Sequence, residues 1–249
     1  MQSRQAKEFG EIGDCEMKAV ILAAGMGRRA APLTESIPKV LINIGQKPLL
    51  WYLVTALKKA GTDEIGIVVG YKKEKIMEFL KKENFSGITL IEQGELRGTA
   101  HAVAAAEKFV GRESFVVLMG DSLYSTVDIG RAFAETGTAI GVTEVSNPQE
   151  YGVVITEGDK LKAIIEKPAN PPTNLINTAL YRFESNIFEE IESIVPIDGG
   201  ELSLVEAVNR LAAKQYVKTF KISSGWMDFD SIEEFLDADV KLAGKLMGE

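Results

Sequence analysis

The first half of the chain alternates short apolar runs with amphipathic stretches, and this alternation restricts the fold more than any other feature. The apolar runs are short and rich in β-branched residues, as in buried strands, while the stretches between them repeat apolar residues every three or four positions, as in helices. Strands that alternate with helices in this way predict a doubly wound, mostly parallel mixed sheet of the Rossmann-like α/β class. The predicted strands are residues 19–22, 65–69, 88–91 and 115–119, and the predicted helices are residues 48–60, 73–82 and 99–110.

The second half of the chain is richer in strand-like runs, which are joined by tight connections. The predicted strands are residues 139–145, 152–156, 160–166 and 177–183, and helical periodicity returns at residues 203–213 and 231–246. Gly158 and Asp159 supply a turn between two of the strands. We predict a flexible N-terminal extension at 1–16 and a single domain at 17–249. That domain divides into a first half, 17–133, and a sheet-rich second half, 134–249.

Composition and charge limit the partners of the chain. With 249 residues, 45% of them hydrophobic, the chain can bury one sizeable core. A formal net charge of −8 argues against a nucleic-acid partner. No apolar run approaches the roughly 18–20 residues needed to cross a membrane, so no membrane partner is expected. The single cysteine, Cys15, cannot form an internal disulfide, which favours a reducing, cytoplasmic compartment.

A glycine-rich loop follows the first predicted strand. Gly25 and Gly27 allow backbone N–H groups to approach phosphate oxygens closely. Arg28 and Arg29 come directly afterwards and can neutralise those oxygens. Lys39, ten residues further on, is a second candidate phosphate cation. These residues predict a phosphate-binding loop.

Three other interpretations of this loop are a dinucleotide-binding loop, a Walker-type loop and a glycine turn that binds no ligand. Residues 25–30 match the dinucleotide pattern Gly-x-Gly-x-x-Ala, which also requires a helix at the loop and an acid roughly 20 positions onward. Pro32 interrupts such a helix, and residues 45–50 contain no acid. A Walker-type loop is excluded because Gly-Lys-Ser/Thr is absent here. A solvated glycine turn that binds no ligand stays open.

An acidic residue marks the end of the fourth predicted strand. Asp121 follows residues 115–119, at the edge where open α/β sheets bind ligands. Magnesium prefers one or two carboxylates together with waters and substrate phosphates. Asp121 is therefore a candidate Mg²⁺ ligand, although a turn residue at a strand end would look the same.

The loop and its continuation resemble a known family. Leu22-Ala-Ala-Gly-Met-Gly-Arg-Arg-Ala-Ala-Pro-Leu-Thr34, followed by Ile37-Pro-Lys-Val-Leu41, is similar to the signature of the sugar nucleotidyltransferases. The resemblance extends over residues 17–236. It implies that the chain uses Mg²⁺ to transfer a nucleoside monophosphate from a nucleoside triphosphate to a sugar 1-phosphate, with release of pyrophosphate. The first half would bind the nucleotide and the second half the sugar.

The resemblance also implies site residues on the nucleotide side. Arg29, Lys39 and Asp121 would be catalytic, with Lys39 near the bond that breaks. Gln93 can pair with a base edge and Gly98 would leave room for the base plane, which favours UTP or dTTP. The only histidine, His101, is expected to be a structural or rim residue rather than a catalyst. The implied nucleotide contacts are Leu22, Ala24, Gly25, Gly27, Arg29, Gln93, Gly98 and Thr99.

Metal and sugar contacts are implied in the second half. Asp228, in the segment Trp226-Met-Asp-Phe-Asp-Ser231, would bind the metal together with Asp121, while either Asp230 or Ser231 could cap the C-terminal helix. Glu166 and Lys167 adjoin on a strand, so their side chains should point to opposite faces. Where the family usually has a glycine, this chain has Ala179. The implied sugar-phosphate contacts are Gly152, Glu166, Lys167 and Asn177.

Several alternatives to this activity stay open at the level of sequence. The same scaffold could use CTP or GTP and act on an inositol phosphate, a polyol phosphate or mannose 1-phosphate. It could also be a ligand-sensing subunit without activity, and it could form a homo-oligomer. In the favoured reaction a sugar-phosphate oxygen attacks the α-phosphorus directly, because no Ser-His-Asp or Cys-His set suggests a covalent intermediate.

Overall fold

The computed structural model describes residues 18–62, 64–195, 200–222 and 226–236. Its strands are β1 (Lys18–Ala23), β2 (Asn43–Ile44), β3 (Lys47–Pro48), β4 (Glu64–Val69), β5 (Ile88–Glu92), β6 (Phe115–Met119), β7 (Ser122–Leu123), β8 (Ala139–Glu144), β9 (Gly152–Glu157), β10 (Lys160–Glu166), β11 (Leu175–Phe183), β12 (Lys218–Lys221) and β13 (Met227–Asp228). Its helices are α1 (Leu33–Ser36), α2 (Leu49–Lys59), α3 (Lys73–Glu83), α4 (Thr99–Ala105), α5 (Glu107–Val110), α6 (Thr126–Ala134), α7 (Ile187–Glu192) and α8 (Leu204–Lys214), and residues 232–236 are also helical.

One mixed sheet extends through both halves of the described chain, in the order β5-β4-β1-β6-β11-β8-β12-β10-β9. The strands of the first half, β5, β4, β1 and β6, are parallel. Strand β11 runs antiparallel to β6 and β8, and the sheet continues with mixed pairings. The predicted fold class is confirmed: a Rossmann-like α/β sheet with a strand-rich second half.

Strand β1 lies between β4 and β6 and is covered on both faces, which explains its unbroken apolar sequence. Successive side chains point to opposite faces of a strand. Ile21 packs in the cluster that includes helix α2, whereas Val20 packs in the cluster that includes helix α4. The loop after β1 therefore emerges at the carboxyl edge of the sheet, between two helical layers.

The structure divides one predicted helix and adds others. The predicted helix 99–110 is two helices, α4 and α5, which meet at Ala106. Helix α6 was not predicted, although Ser125 followed by Asp128 is a capping signal, and the Asp128 N–H donates to Ser125 Oγ at 3.1 Å. Helix α7 is too short for its periodicity to be read. Strand β12, inserted between β8 and β10, is short, and three of its four residues are polar.

Some predictions fall on parts of the chain without a structural description. The N-terminal extension at 1–16 lies outside the described residues. The predicted helix 231–246 is described only as far as residue 236, where residues 232–236 are helical. Within the described ranges, no helix combines the length and apolar character needed to span a bilayer.

Candidate active site

A cavity of about 410 Å³ lies at the carboxyl edge of the parallel strands. The loop after β1, the end of β6 and the start of α4 line it. Open α/β sheets bind ligands at this edge. All of the residues expected to contact the nucleotide line this cavity, namely Leu22, Ala24, Gly25, Gly27, Arg29, Gln93, Gly98 and Thr99, and so do Lys39 and Asp121.

A second cavity, of about 220 Å³, adjoins the first. The residues expected to contact the sugar phosphate line it: Gly152, Glu166, Lys167 and Asn177. Asp228 and Asp230 line this cavity as well. Arg29, Thr99 and Asp121 belong to the walls of both cavities. The two sets of residues predicted from sequence are thus brought together at a common boundary.

The glycine loop is held against the segment that carries Lys39. Gly27 has a left-handed backbone with φ +61°, and a Cβ there would lie 2.9 Å from the Cβ of Lys39 and 3.0 Å from Cγ2 of Thr34. Only glycine fits such an approach without displacement. The Thr34 hydroxyl donates to the Gly27 carbonyl at 3.0 Å. Around Gly25, by contrast, a Cβ would meet nothing within 4 Å, so the backbone there is open to a ligand.

Gly120, which the sequence interpretation missed, places Asp121 beside this loop. Its N–H donates to the Leu22 carbonyl at 2.9 Å, and a Cβ would lie 2.4 Å from that carbonyl oxygen. The ends of β1 and β6 can therefore approach only with glycine at this position. The available signal was a glycine between a buried strand and an acid.

Lys39 is a buried cation between two carboxylates. Its Nζ lies 3.0 Å from Asp121 Oδ2 and 3.2 Å from Asp230 Oδ1. Burial lowers the pKa of Lys39, but the charges of Asp121 and Asp230 more than offset this effect, so that its pKa is raised above the ordinary value. The ammonium group therefore stays charged near neutral pH.

Asp121, Asp228 and Asp230 form a cluster in which one oxygen of each lies within 4.8 Å of the others. The pairing of β13 with β7 puts Asp228 opposite Ser122, whose hydroxyl donates to Asp228 Oδ1 at 3.0 Å. Burial, followed by the charges of Asp121 and Asp230, raises the pKa of Asp228 to about 7. Such carboxylate oxygens suit a hard divalent cation, which would relieve their mutual repulsion.

The structure distinguishes the two candidate caps of the last helical segment. The Ser231 hydroxyl accepts from the Glu234 N–H at 3.3 Å, and Glu234 Oε2 accepts from the Ser231 N–H at 2.7 Å, which is a capping box. Asp230 faces the cavities instead. Its Oδ2 lies 2.5 Å from Arg29 Nη1. Asp230 therefore belongs to the charged cluster of the site.

Gln93, which lines the first cavity, is held in place by its neighbours. Its Nε2 donates to the Gly98 carbonyl at 3.1 Å and lies 3.3 Å from His101 Nδ1, in keeping with a structural role for His101. Close packing of the backbone also requires glycine at position 98. A Cβ on Gly98, where φ is +99°, would lie 2.6 Å from the Leu202 carbonyl oxygen.

Beside its charged residues, the second cavity has neutral groups that hydrogen bonds hold in place. Asn177 Nδ2 donates to the Tyr181 hydroxyl at 2.6 Å, and Asn177 Oδ1 accepts from the Ala179 N–H at 3.0 Å. Burial raises the pKa of Glu166, against the opposing charge of Lys167. The absence of a side chain at Gly152 leaves room for the Glu166 carboxyl group, since a Cβ there would lie 3.2 Å from Oε1.

Glu166 and Lys167, which adjoin at the end of a strand, both line this cavity. Lys167 has φ +43°, a left-handed backbone that ends the strand alternation. Two aromatic side chains also belong to the wall of this cavity. Tyr151 and Trp226 contact each other edge to face, with ring centroids 5.7 Å apart, and both line the cavity.

Fold and site together define an α/β protein that has a glycine-rich, basic loop and an acidic cluster at the carboxyl edge of its sheet. A family model described as "Nucleotidyl transferase" matches residues 18–245. The chain belongs to the nucleotidyl transferase family, and the family assignment made from the glycine loop is confirmed.

Curated relatives and solved structures agree with this assignment. The chain is 38% identical to "Bifunctional protein GlmU" of Methanocaldococcus jannaschii, over 92% of this chain and 55% of that protein. It is 36% identical to "Low-salt glycan biosynthesis nucleotidyltransferase Agl11" of Haloferax volcanii, over 90% of this chain and 65% of that protein. A UDP-glucose pyrophosphorylase complexed with UDP-glucose superposes with a TM-score of 0.82 at 25% identity, over 92% of this chain and 99% of that one. The chain thus spans little more than half the length of the first of these relatives.

Proposed function

We propose that the protein transfers a nucleoside monophosphate from UTP or dTTP to a sugar 1-phosphate, with glucose 1-phosphate as the favoured type, and releases pyrophosphate. One observation carries the proposal. The cavity with the basic loop and the cavity with the sugar-type hydrogen-bonding groups share Arg29, Thr99 and Asp121 as walls. A donor and an acceptor substrate in these cavities would meet at the charged cluster.

In the first cavity the triphosphate would lie on the backbone N–H groups around Gly25 and Gly27. Arg29 is well exposed and can swing onto phosphate oxygens, while the buried Lys39 offers a fixed positive charge beside Asp121. The open space around Gly25 supports this placement. Holding these charges in position before substrate arrives lowers the cost of stabilising the transferring group.

Asp121 and Asp228 would hold a Mg²⁺ ion, which would supply charge neutralisation at the transferring phosphoryl group. The fit rests on the oxygen-only donors of the acidic cluster and on the mutual repulsion that raises the pKa of Asp228. Ser122 would keep the Asp228 carboxylate in place through its 3.0 Å hydrogen bond.

In the second cavity Gly152, Glu166 and Asn177 would bind sugar hydroxyl groups, and Lys167 would bind the sugar phosphate. A phosphate oxygen of the sugar would then attack the α-phosphorus in line, and the bond to the leaving pyrophosphate would break. The chain's task would be to position and neutralise the two substrates. We accordingly assign residues 17–133 to the nucleotide and residues 134–249 to the sugar.

Pyrophosphate release in the presence of Mg²⁺ tests the proposal. UTP, dTTP, CTP, GTP and ATP would each be combined with the phosphates of glucose, N-acetylglucosamine, mannose and inositol. Release that requires both a uridine or thymidine nucleotide and a sugar 1-phosphate is expected. If the sugar-phosphate-dependent release occurred only with CTP or GTP, the nucleotide assignment would be replaced. If folded protein released no pyrophosphate with any of these combinations, the activity would be rejected.

A further inference from the structure

Asp230 is engaged by two cations of the site. One of its carboxylate oxygens lies 2.5 Å from Arg29 Nη1 and the other lies 3.2 Å from Lys39 Nζ. The nearby Asp228 differs, because its Oδ1 accepts a hydrogen bond from Ser122 and the described residues give it no ion pair with Arg29 or Lys39. Two acids of one cluster thus have distinct partners.

The proposed function assigns both partners of Asp230, Arg29 and Lys39, to the phosphates of the substrate. The inference rests on the proposed function for this assignment. Carboxylate and phosphate offer arginine and lysine the same kind of charged oxygen. An Asp230 oxygen on each cation therefore occupies a bonding position that a phosphate oxygen would require.

The contacts can be exchanged without unpacking the core. The Arg29 side chain is 63% exposed and the Asp230 side chain 27%, so both can rotate at the cavity wall. Lys39 is nearly buried, yet it would keep its 3.0 Å contact with Asp121 when Asp230 leaves. The arrangement fits a contact that a ligand displaces.

We propose that Asp230 is an internal counter-ion of Arg29 and Lys39, which an incoming polyphosphate must displace in order to bind. The carboxylate weakens the binding of polyphosphate to the metal-free protein, because both ion pairs must break first. The same contact keeps the two cations at the junction of the cavities before substrate arrives.

Two other roles for Asp230 give different results when its charge is removed. If Asp230 acts only as one more negative charge in the cluster, then neutralising Asp228 should strengthen anion binding equally. If Asp230 mainly holds Arg29 and Lys39 in a productive position, its loss should weaken anion binding. A displaced counter-ion predicts stronger binding for the Asp230 variant, and much less change for the Asp228 variant.

The test is calorimetric titration of the full chain with sodium tripolyphosphate, in EDTA and at one fixed ionic strength. A pH of 8.5 is suitable, because it lies above the pKa of about 7 for Asp228, so that the control acid starts out charged. The variants are Asp230→Asn, a second substitution Asp230→Ser, and the matched control Asp228→Asn. We expect both Asp230 variants to bind about tenfold more tightly than the unchanged protein, and the control to change less than about threefold.

Equal gains for Asp230→Asn and Asp228→Asn would overturn the inference, and so would unchanged or weaker binding by the Asp230 variants. Failure of every variant to bind tripolyphosphate would overturn it too, because the unmasked Arg29 and Lys39 should then bind. The pyrophosphate assay is independent of this result. If the Asp230 variants bind tripolyphosphate more tightly but the unchanged protein releases no pyrophosphate, the proposed activity is rejected and the counter-ion role is kept. If the unchanged protein releases pyrophosphate but the Asp230 variants bind no more tightly, the activity is kept and the counter-ion role is rejected.

Discussion

The two cavities are built on different physical principles. The first has glycine-dependent backbone approaches at Gly27 and Gly120 and a cluster of full charges around Lys39. The second shares Arg29 and Asp121 with the first, but it also has oriented neutral groups, such as the hydrogen-bonded pair formed by Asn177 and Tyr181. Charges suit phosphates, and oriented neutral groups suit hydroxyls. The comparison indicates that phosphoryl transfer and sugar binding depend on different groups. Variants of the charged cluster should therefore lower kcat, whereas variants of the neutral groups should raise KM for the sugar phosphate.

The largest expected effect is at Asp121, in the charged cluster where the two cavities meet. Asp121→Ala should lower kcat by about 10²–10³, because an electrostatic contact with the transferring group is lost. The fold should be retained, since this side chain lies at the cavity wall. Pyrophosphate release at fixed Mg²⁺ measures the effect. Asp159→Ala, on an exposed turn that lines neither cavity, is the control, and normal turnover by Asp121→Ala would contradict the metal assignment.

A pH dependence of stability is expected from Asp228, whose pKa is raised from 3.8 to about 7 in the folded protein. Between these values the unfolded chain releases a proton that the folded protein retains. The free energy of unfolding of the metal-free protein should therefore fall as pH rises from about 4 to about 7. Asp228→Asn should lack this contribution while it can keep a hydrogen bond to Ser122.

Thermal melts in EDTA at pH 5 and pH 8 measure this effect. The unchanged protein should lose more stability than Asp228→Asn over that interval, and added Mg²⁺ should restore the unchanged protein at pH 8. The same pH dependence in both proteins would show that Asp228 is not the group responsible.

A smaller, selective effect is expected at the Asn177–Tyr181 pair of the second cavity. Tyr181→Phe removes the hydroxyl that accepts from Asn177 Nδ2, and so frees the orientation of the Asn177 amide. KM for the sugar phosphate should rise about fivefold, the equivalent of about 1 kcal/mol, while KM for the nucleotide should not change. Initial-rate kinetics with each substrate varied in turn would show this. Equal changes in both KM values would break the proposed separation of the cavities.

The smallest effect is expected at Ala179, which has φ +56°. A left-handed backbone costs a non-glycine residue roughly 1–2 kcal/mol relative to glycine. Glycine also loses more conformational entropy on folding, which offsets part of that gain. Ala179→Gly should therefore stabilise the protein by up to about 1 kcal/mol, measured by urea unfolding. Asn84→Gly is the matched control, since Asn84 also has positive φ (55°) but asparagine tolerates this conformation better. A destabilised Ala179→Gly would mean that the methyl group contributes contacts worth more than the strain.

The sequence by itself determined the doubly wound class and the main strands of the sheet. Buried parallel strands must be short and apolar throughout, as β1 and β6 are, and helices that cover them must be amphipathic, as α2 is. It also placed Asp121 at the ligand-binding edge, because the carboxyl ends of neighbouring parallel strands share one edge. Arg29 was assigned from the glycine-rich loop, and Gln93 from the resemblance to the sugar nucleotidyltransferases.

Only the tertiary structure decided what individual side chains do there, because contacts between residues far apart in the chain leave no local pattern. Asp230 and Ser231 were equivalent candidates for a cap until Arg29 and Lys39, about 200 positions away, were brought up to Asp230. Gly98 is glycine because the Leu202 backbone crosses it. Lys167 joins Glu166 in one cavity because its backbone turns left-handed. Strand patterns follow from local sequence, whereas partners and close approaches depend on how distant segments are brought together.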